Sequence, residues 1–491
     1  MKEKPLLHAA ETRWLAVSGI FVLGEITTFN LAPLSSAWPT VAFAALIVTI
    51  CGLGRSRKIT WLLASLYLAG CAIGLRTAKG MRDVIDAAAV RSRSSPLKAV
   101  FEIPFQANVY GRDDGAVSVS FPSKIGSLPV RVRWNVPDGG KTPSPGERWE
   151  CAGWLERSDG RLGRRLNFWA QGGKAYAKMA EPAPTKGAWA AIRSFRERAS
   201  RAIGRVPDGL SAYADLNRAM LLGERGRMTL EDRETFKSAG MMHLFAISGL
   251  HVLVVARLLA LVLAVALVPL KIRVLFMAPL LWAYVVMVGS GPSATRAAAM
   301  AVICQSAPLF GRRPDALVAW AIAFVGNYAI FPESVFDIGC SLSFAVMFAL
   351  VWLGRVLRKE TPRAVATVAG SAVAWAAGVP LIASVFGNVT PVGLIVNAIA
   401  VPIGGFAVCM SALSVAADAA FGAGWLSFHL NSAAALSASV LSGMARVASA
   451  VPGGNIEVPK WDILQCAAWY ATLATALFIL RRLTMKRNFL V

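Results

Sequence analysis

Acidic residues are scarce in this chain, 28 Asp and Glu against 51 Lys and Arg, and charged residues of both signs make up only 16% of 491. A large soluble protein is excluded by that balance. With 56% hydrophobic residues and positive mean hydropathy, the composition is that of a polytopic membrane protein. The seven cysteines, at 51, 71, 151, 304, 340, 409 and 466, are scattered and form no CxxC pair, so their spacing supports neither a disulfide framework nor a zinc ribbon. There is no Gly-x-x-x-x-Gly-Lys-Ser/Thr phosphate loop, so any work done by the chain draws its energy from elsewhere. No Ala-x-Ala-like cleavage site with a soluble domain follows the apolar segment that starts at Trp14, which therefore reads as an anchor.

What is abundant is apolar sequence. Stretches of about 20 residues, enough to span a bilayer, fall near 14–34, 37–54 and 59–75. After a long polar interval they resume near 243–270, 274–289, 295–310, 315–331, 338–354, 364–386, 391–416, 425–450 and 462–480. The expected fold is thus a polytopic α-helical membrane protein of about twelve spans. Lys2/Lys4/Arg13, Arg55/Arg57/Lys58, Lys271/Arg273, Arg312/Arg313, Arg355/Arg358/Lys359/Arg363 and Arg481/Arg482/Lys486/Arg487 then all lie on one side. The positive-inside rule makes that side the cytoplasm, with both termini inside and residues 76–242 external or periplasmic. The link from Asp418 to Gly424 carries no basic residue and does not vote.

The polar interval divides in two. Residues 100–180 alternate in short runs, such as Ala116-Val-Ser-Val-Ser-Phe121 and Pro129-Val-Arg-Val-Arg-Trp134, separated by Gly, Asp and Pro clusters. Five or six strands in this length predict a small barrel of OB type, placed within a domain of 76–185. Residues 186–242 predict two amphipathic helices, the second opening at Thr229 with Asp232 as a capping partner. Residues 76–205 hold 24 basic and 12 acidic residues. Topology does not call for this excess on the outer side. It is either a solvated or lipid-headgroup face, or a surface for a polyanion. Arg131, Arg133, Trp134, Arg164 and Arg165 interleave cations with aromatics as single-stranded nucleic acid requires; tryptophans in a small barrel also serve as core.

At the junction with the bundle, residues 243–252 read His-Leu-Phe-Ala-Ile-Ser-Gly-Leu-His-Val, polar where an anchor would be apolar. On one continuous helix His243 and His251 would lie about 80° apart in azimuth, so one metal could not join them without a break at Ser248-Gly249. Ser248 lacks the first glycine of a nucleophile elbow. These groups then either hydrogen-bond within the bundle or line a cavity. Arg296 follows the Gly289-Ser-Gly-Pro-Ser-Ala-Thr turn, as a snorkelling cation or as a phosphate contact beside exposed backbone N–H groups. Asp337 is read as an N-cap before Ser341 and Ser343. Asn388, Asn397, Pro391 and Pro402 indicate broken helices of the kind that frame transport paths.

The run Leu221-Leu-Gly-Glu-Arg-Gly-Arg…Ser-Ala-Gly240-Met-Met-His-Leu-Phe-Ala-Ile-Ser-Gly-Leu-His-Val252 resembles the ComEC family of competence proteins. The likeness continues through Gly289–Arg296, Gly311-Arg-Arg-Pro-Asp-Ala and Asp337-Ile-Gly-Cys-Ser-Leu-Ser-Phe344, and in the external module through Pro145-Gly-Glu-Arg and Phe168-Trp-Ala-Gln-Gly-Gly-Lys. The resemblance implies passage of single-stranded DNA across the cytoplasmic membrane during natural transformation. Given that role, His243, Ser248, Gly249, His251, Ser293, Arg296 and Asn397 are the residues expected to line the DNA path through the bundle. The resemblance also implies partners: membrane lipid, a periplasmic DNA receptor, and a cytoplasmic ATPase or single-strand-binding protein. Many members carry a further metallo-β-lactamase-like domain; no His-x-His-x-Asp-His cluster occurs here, so a separate nuclease is expected, and the chain itself is read as neither enzyme nor cofactor binder. The rival readings are a transporter of another anionic or lipidic substrate and a membrane hydrolase using His243, Ser248 and His251.

Overall fold

The computed structural model describes residues 97–103, 108–111, 117–125, 128–136, 147–158, 165–170, 177–181, 187–330, 337–357, 361–422 and 424–487. The three spans predicted before residue 76 lie outside the described residues.

Among the described residues the β-module has seven strands: β1 (Leu97–Glu102), β2 (Asn108–Gly111), β3 (Val117–Ile125), β4 (Leu128–Val136), β5 (Arg148–Ser158), β6 (Arg165–Ala170) and β7 (Ala177–Glu181). They hydrogen-bond in the order β1-β5-β6-β4-β3-β2, with β7 also on β5. All pairs are antiparallel except β4 with β6, which is parallel. The expected small OB-like barrel is not confirmed: among the described residues the strands form a sheet that does not close. Its two ends, β1 and β2, share no ladder. The long β5 instead serves β1, β6 and β7. Alternation along β4 and β5 buries Val132, Trp134, Trp149 and Cys151 together. Burial of Cys151 pushes its thiol up to about 12.

Three helices follow where two were expected: α1 (Gly187–Ile203), α2 (Ser211–Leu222) and α3 (Leu230–Ser238). Gly223, in the left-handed conformation, ends α2. Thr229 begins α3 by accepting the Asp232 N–H at 3.0 Å. Between α2 and α3 the loop is tied by Glu224. Its carboxylate accepts from Ser200 Oγ at 3.0 Å and Arg227 Nε at 2.8 Å, and lies 3.8 Å from Arg196 Nε. Burial pulls the Arg196 guanidinium below its ordinary pKa, and Glu224 opposes that shift. Replacing Glu224 with alanine is expected to cost about 2–4 kcal/mol, because it leaves these donors around a partly buried gap. A melt of the detergent-solubilised protein checks this; an unchanged midpoint would show that the cluster is ornamental.

The remaining helices are α4 (Gly249–Val265), α5 (Leu270–Met287), α6 (Pro292–Ser306), α7 (Ala316–Ile330), α8 (Ile338–Val356), α9 (Arg363–Phe386), α10 (Val392–Phe421), α11 (Gly424–Ser449) and α12 (Ile463–Arg487). They answer to the nine apolar segments after residue 242. Three stretches, Ile338–Arg355, Arg363–Phe386 and Val392–Phe421, are long and apolar enough to cross a membrane, while Gly249–Val265, Ile272–Met287 and Ala316–Tyr328 are shorter apolar helices. Asp337 caps α8 by accepting the N–H groups of Gly339 and Cys340.

Two cores hold the helices. The first joins α1–α6 to α10 and α11 through residues such as Met220, Leu244, Phe245, Leu281, Val408 and Leu441. The second is aromatic, with Trp320, Phe324, Tyr328, Phe344 and Phe348 in edge and stacked contact. Between α10 and α11 the contact is made by small side chains, Ala400, Gly404, Ala407, Ser411 and Ser414 facing Ser427, Ala434, Ala438 and Ser442. These let the backbones approach closely enough for Ser414 and Ser427 to donate to each other's carbonyls.

Candidate functional site

The decapeptide at 243–252 is not one helix. Met242–Phe245 forms a single tight turn, Ala246 and Ile247 are non-helical, and α4 starts at Gly249 after Ser248. The break falls at Ser248-Gly249, where the sequence has its two small residues. His251, only 1% exposed, turns back so that its Nδ1 accepts the Ser248 N–H at 3.1 Å. Its ring thus closes the first turn of α4 and satisfies a main-chain donor that the helix leaves unpaired. That bond fixes the tautomer with the proton on Nε2.

His243 faces a different group. Its Nδ1 lies 3.3 Å from the Gly240 carbonyl, and Asn397 Nδ2 of α10 donates to the same oxygen at 3.3 Å. Gly240 adopts φ +71°, and a Cβ there would meet Thr390 Cγ2 at 3.1 Å and Gly393 Cα at 3.3 Å. Glycine is required twice over, by conformation and by space. Asn397 Oδ1 is buried without a hydrogen-bond partner.

Arg296 forms the second cluster. It lies in the second turn of α6, where the two cores meet: Ala294 and Ala298 belong to the first and Met300 to the second. Only 6% exposed, it donates from Nε to Ser343 Oγ at 2.7 Å and from Nη1 towards Met300 Sδ at 3.5 Å. Its guanidinium carbon is 5.9 Å from the centre of the Phe344 ring, and a Cβ on Gly249 would stand 3.4 Å from its Nη2. Three separate motif segments, 243–252, 289–296 and 337–344, therefore converge on one side chain. Among the described residues it forms no ion pair. A hydroxyl, a thioether and a ring face are weak compensation for a desolvated cation.

Two expectations about this region are corrected. Arg296 does not snorkel; its side chain runs between α6 and α8, because Ser343 and Phe344 lie one helix away and Gly249 leaves it room. The 289–291 turn does not present all its N–H groups either. Gly289 and Ser290, both at positive φ, donate to the carbonyls of Val286 and Val285 and finish α5. Ser293 is half-buried in the first turn of α6. The predicted path residues thus separate into His243 with Asn397, Gly249 with Arg296, and the Ser248–His251 cap.

In the β-module Arg133 is exposed, whereas Trp134, one residue on, points the other way and is 3% exposed. Its ring lies 4.9 Å from that of Trp149, whose Nε1 donates to Glu147. Trp134 is core and offers no face to a base, because adjacent residues of a strand occupy opposite faces. Arg131 is on β4 and Arg165 opens β6; their side chains, and all of Arg164, lie outside the described residues.

The sequence argument did not isolate Arg225, which sits in the Gly-Glu-Arg-Gly-Arg run. Its Nε donates to the Phe245 carbonyl at 2.7 Å, tying the α2–α3 loop to the decapeptide, and Tyr284 OH of α5 holds the Leu221 carbonyl at 3.0 Å. The signal available was an arginine flanked by glycines; its partner twenty residues on was not legible.

These features define a helical membrane protein with polar and cationic groups turned into its bundle and a β-module before it. The chain matches the competence-protein family over residues 220–483, more than half its length, and belongs to that family, the ComEC type. It is 25% identical over 197 residues to ComE operon protein 3 of Bacillus subtilis (strain 168), covering 40% of this chain and 25% of the relative. It is 30% identical over 209 residues to competence protein ComA of Neisseria gonorrhoeae, covering 40% of this chain and 29% of the relative. The alignments thus span under a third of either relative's length. No solved structure matches.

Proposed function

We propose that this protein passes single-stranded DNA inward across the cytoplasmic membrane during natural transformation. In this reading residues 76–242 are external and both termini cytoplasmic, an orientation that the basic clusters support. The observation that carries the reading is the convergence of three motif segments on Arg296. A cation held in a bundle without a carboxylate is positioned for an anion that comes and goes. A polyanion needs such positive potential along its route without a site too tight to leave. The basic module collects the strand, and the Gly240–His243–Asn397 and Arg296 clusters line the way in.

The chain acts as a conduit and not as an enzyme. A hydrolase would need the Ser248 hydroxyl on an imidazole, and His251 Nδ1 is engaged with the Ser248 main chain. Membrane lipid surrounds the bundle. A periplasmic DNA receptor delivers the strand, a separate nuclease removes its complement, and a cytoplasmic ATPase or single-strand-binding protein draws it inward.

The test uses the whole protein in nanodiscs of neutral lipid with a fluorescent single-stranded oligonucleotide. Binding is expected to weaken steeply with salt, with a slope of about −0.7 per phosphate neutralised. Exchanging Arg131 and Arg133 together for alanine is expected to flatten it by about 1.4. Binding with no salt dependence, or no stronger than to a neutral polymer, would refute the reading of the module.

A further inference from the structure

We infer that α10 and α11 do not cross the membrane, but stand as a hairpin on the outer side with their open end let into the bundle. The link between them then shares a compartment with residues 187–242. The inference takes the sign of that side from the topology proposed above; the relation between link and segment is independent of it.

The twelve-span reading requires α10 to run inward across the whole bilayer; its first turn does step inward along α9, but the level it reaches leaves no depth for 30 residues. Trp375 Nε1 of α9 donates to the Thr390 carbonyl at 2.9 Å, and Ser371 Oγ donates to the Leu394 carbonyl at 2.7 Å. Ser371 is in the third turn of α9, which starts at Arg363 on the basic side. So α10 begins about 12 Å from the inner end of α9 and about 22 Å from its outer end, at 1.5 Å per residue. Its 30 residues make a rod of about 45 Å. Pointed inward it would protrude most of its length beyond the bundle.

The later contacts set the direction. A Cβ on Gly405 would meet Leu250 Cδ2 at 3.2 Å, and one on Gly404 would meet Leu244 Cδ2 at 3.3 Å. Leu250 is the second residue of α4, at the end of that helix that joins residues 187–248. The end of α10 goes further the same way: Asp418 forms an ion pair with Arg205, just after α1. Around it, Asn431 Nδ2 of α11 donates to the Ala202 carbonyl at 2.7 Å, and Arg205 Nη1 comes within 3.7 Å of where a Gly424 Cβ would be. α1 bears Arg193, Glu197, Arg198 and Arg201 and cannot follow a link through the bilayer.

The return path agrees. Leu441 of α11 packs at Gly404, and a Cβ on Gly454 would touch Val392 at 3.3 Å. Residues 456–457 then pair with 388–389, and Trp469 and Tyr470 of α12 donate to Ala376 and Ala377 of α9. Both ends of the hairpin thus re-emerge on the side where α9 ended and α12 begins.

The charge pattern has the same reading. Phe421–Gly424 belongs to the one link assigned inward that holds no Lys or Arg, and taking it outside leaves every basic cluster where it was. Of the described helices, α4 to α9 and α12 cross. The seam with α11 takes up the small residues of α10, while Ile395, Ile399 and Phe406 stay exposed at 68%, 56% and 49% and give the hairpin an apolar outer face for lipid beside the bundle. Residues 390–397, including Asn397 at the Gly240 carbonyl, become a re-entrant element reaching the bundle from outside.

The experiment is cysteine labelling of the full chain in spheroplasts with a membrane-impermeant maleimide, scored over the unsubstituted protein. Ala420→Cys reports the link, Asp208→Cys the 187–242 segment, and Thr361→Cys the cytoplasmic control. The expected result is labelling of Ala420→Cys to the same extent as Asp208→Cys before lysis, with Thr361→Cys labelled only afterwards. If Asp208→Cys labels and Ala420→Cys waits for lysis, the hairpin crosses and the inference is overturned while the outward placement of 187–242 stands. If both wait for lysis, the outward placement itself falls and takes the inference with it.

Discussion

Exchanging Arg296 for methionine is expected to leave the bundle folded and to lower transformation frequency by at least about 30-fold. The two halves of this expectation have different origins. A buried ion replaced by an apolar side chain of similar length commonly costs nothing or stabilises, because its desolvation is no longer opposed by weak partners. Arg296 has only Ser343, Met300 and the Phe344 ring, and methionine fills much the same volume. Its melting midpoint should therefore hold or rise. Removing one partner of a desolvated charge contact costs about 2–5 kcal/mol, and each 1.4 kcal/mol is about tenfold. If the cation meets passing phosphates, uptake suffers by that amount. Lysine at 296 should recover part of the uptake, since it restores charge without the guanidinium fork. A methionine variant that melts early and loses uptake in proportion would make Arg296 a strut. One that melts normally and transforms normally would remove it from the path.

The separation of these roles could not be read from the chain. Arg296 was visible as a cation at an odd place, but Ser343 is 47 residues away and Gly249 is as far in the other direction. Their meeting depends on how α4, α6 and α8 pack. Local signals fared better. Asp337 before an apolar run is a cap because a carboxylate satisfies the first N–H groups of any helix, and Thr229 works in the same way for α3. The alternation in Val130-Arg-Val-Arg-Trp134 already placed Arg133 and Trp134 on opposite faces, so the burial of Trp134 was available from period two alone. Barrel closure was not, because it depends on which strands at the ends of the order meet. The nine apolar helices were legible as apolar. By length and hydropathy alone α10 and α11 read as spans, and α10 is long and apolar enough to be one; the hairpin proposed above rests on long-range contacts that the sequence does not show.

Placing valine at Gly240 is expected to destabilise the protein by about 2–5 kcal/mol. Two independent costs add. A non-glycine residue at φ +71° gives up about 1–2 kcal/mol to the clash of Cβ with its own backbone. Overpacking adds about 1–3 kcal/mol, since the new Cβ would stand 3.1 Å from Thr390 Cγ2 and 3.3 Å from Gly393 Cα before the valine methyls are counted. Thr390→Ser separates the terms. It deletes Cγ2 while keeping the hydroxyl that donates to Asn455 at 3.2 Å, so it should relieve part of the packing cost and none of the conformational one. In the double variant, then, the midpoint recovers only in part. The functional cost should exceed the thermal one, because a shifted residue 240 carries the carbonyl on which His243 and Asn397 converge. Should Gly240→Val melt and transform like the parent, the close approach of residues 240 and 390–393 would not exist in the folded protein. The inward-reaching end of α10 would then have to be placed elsewhere.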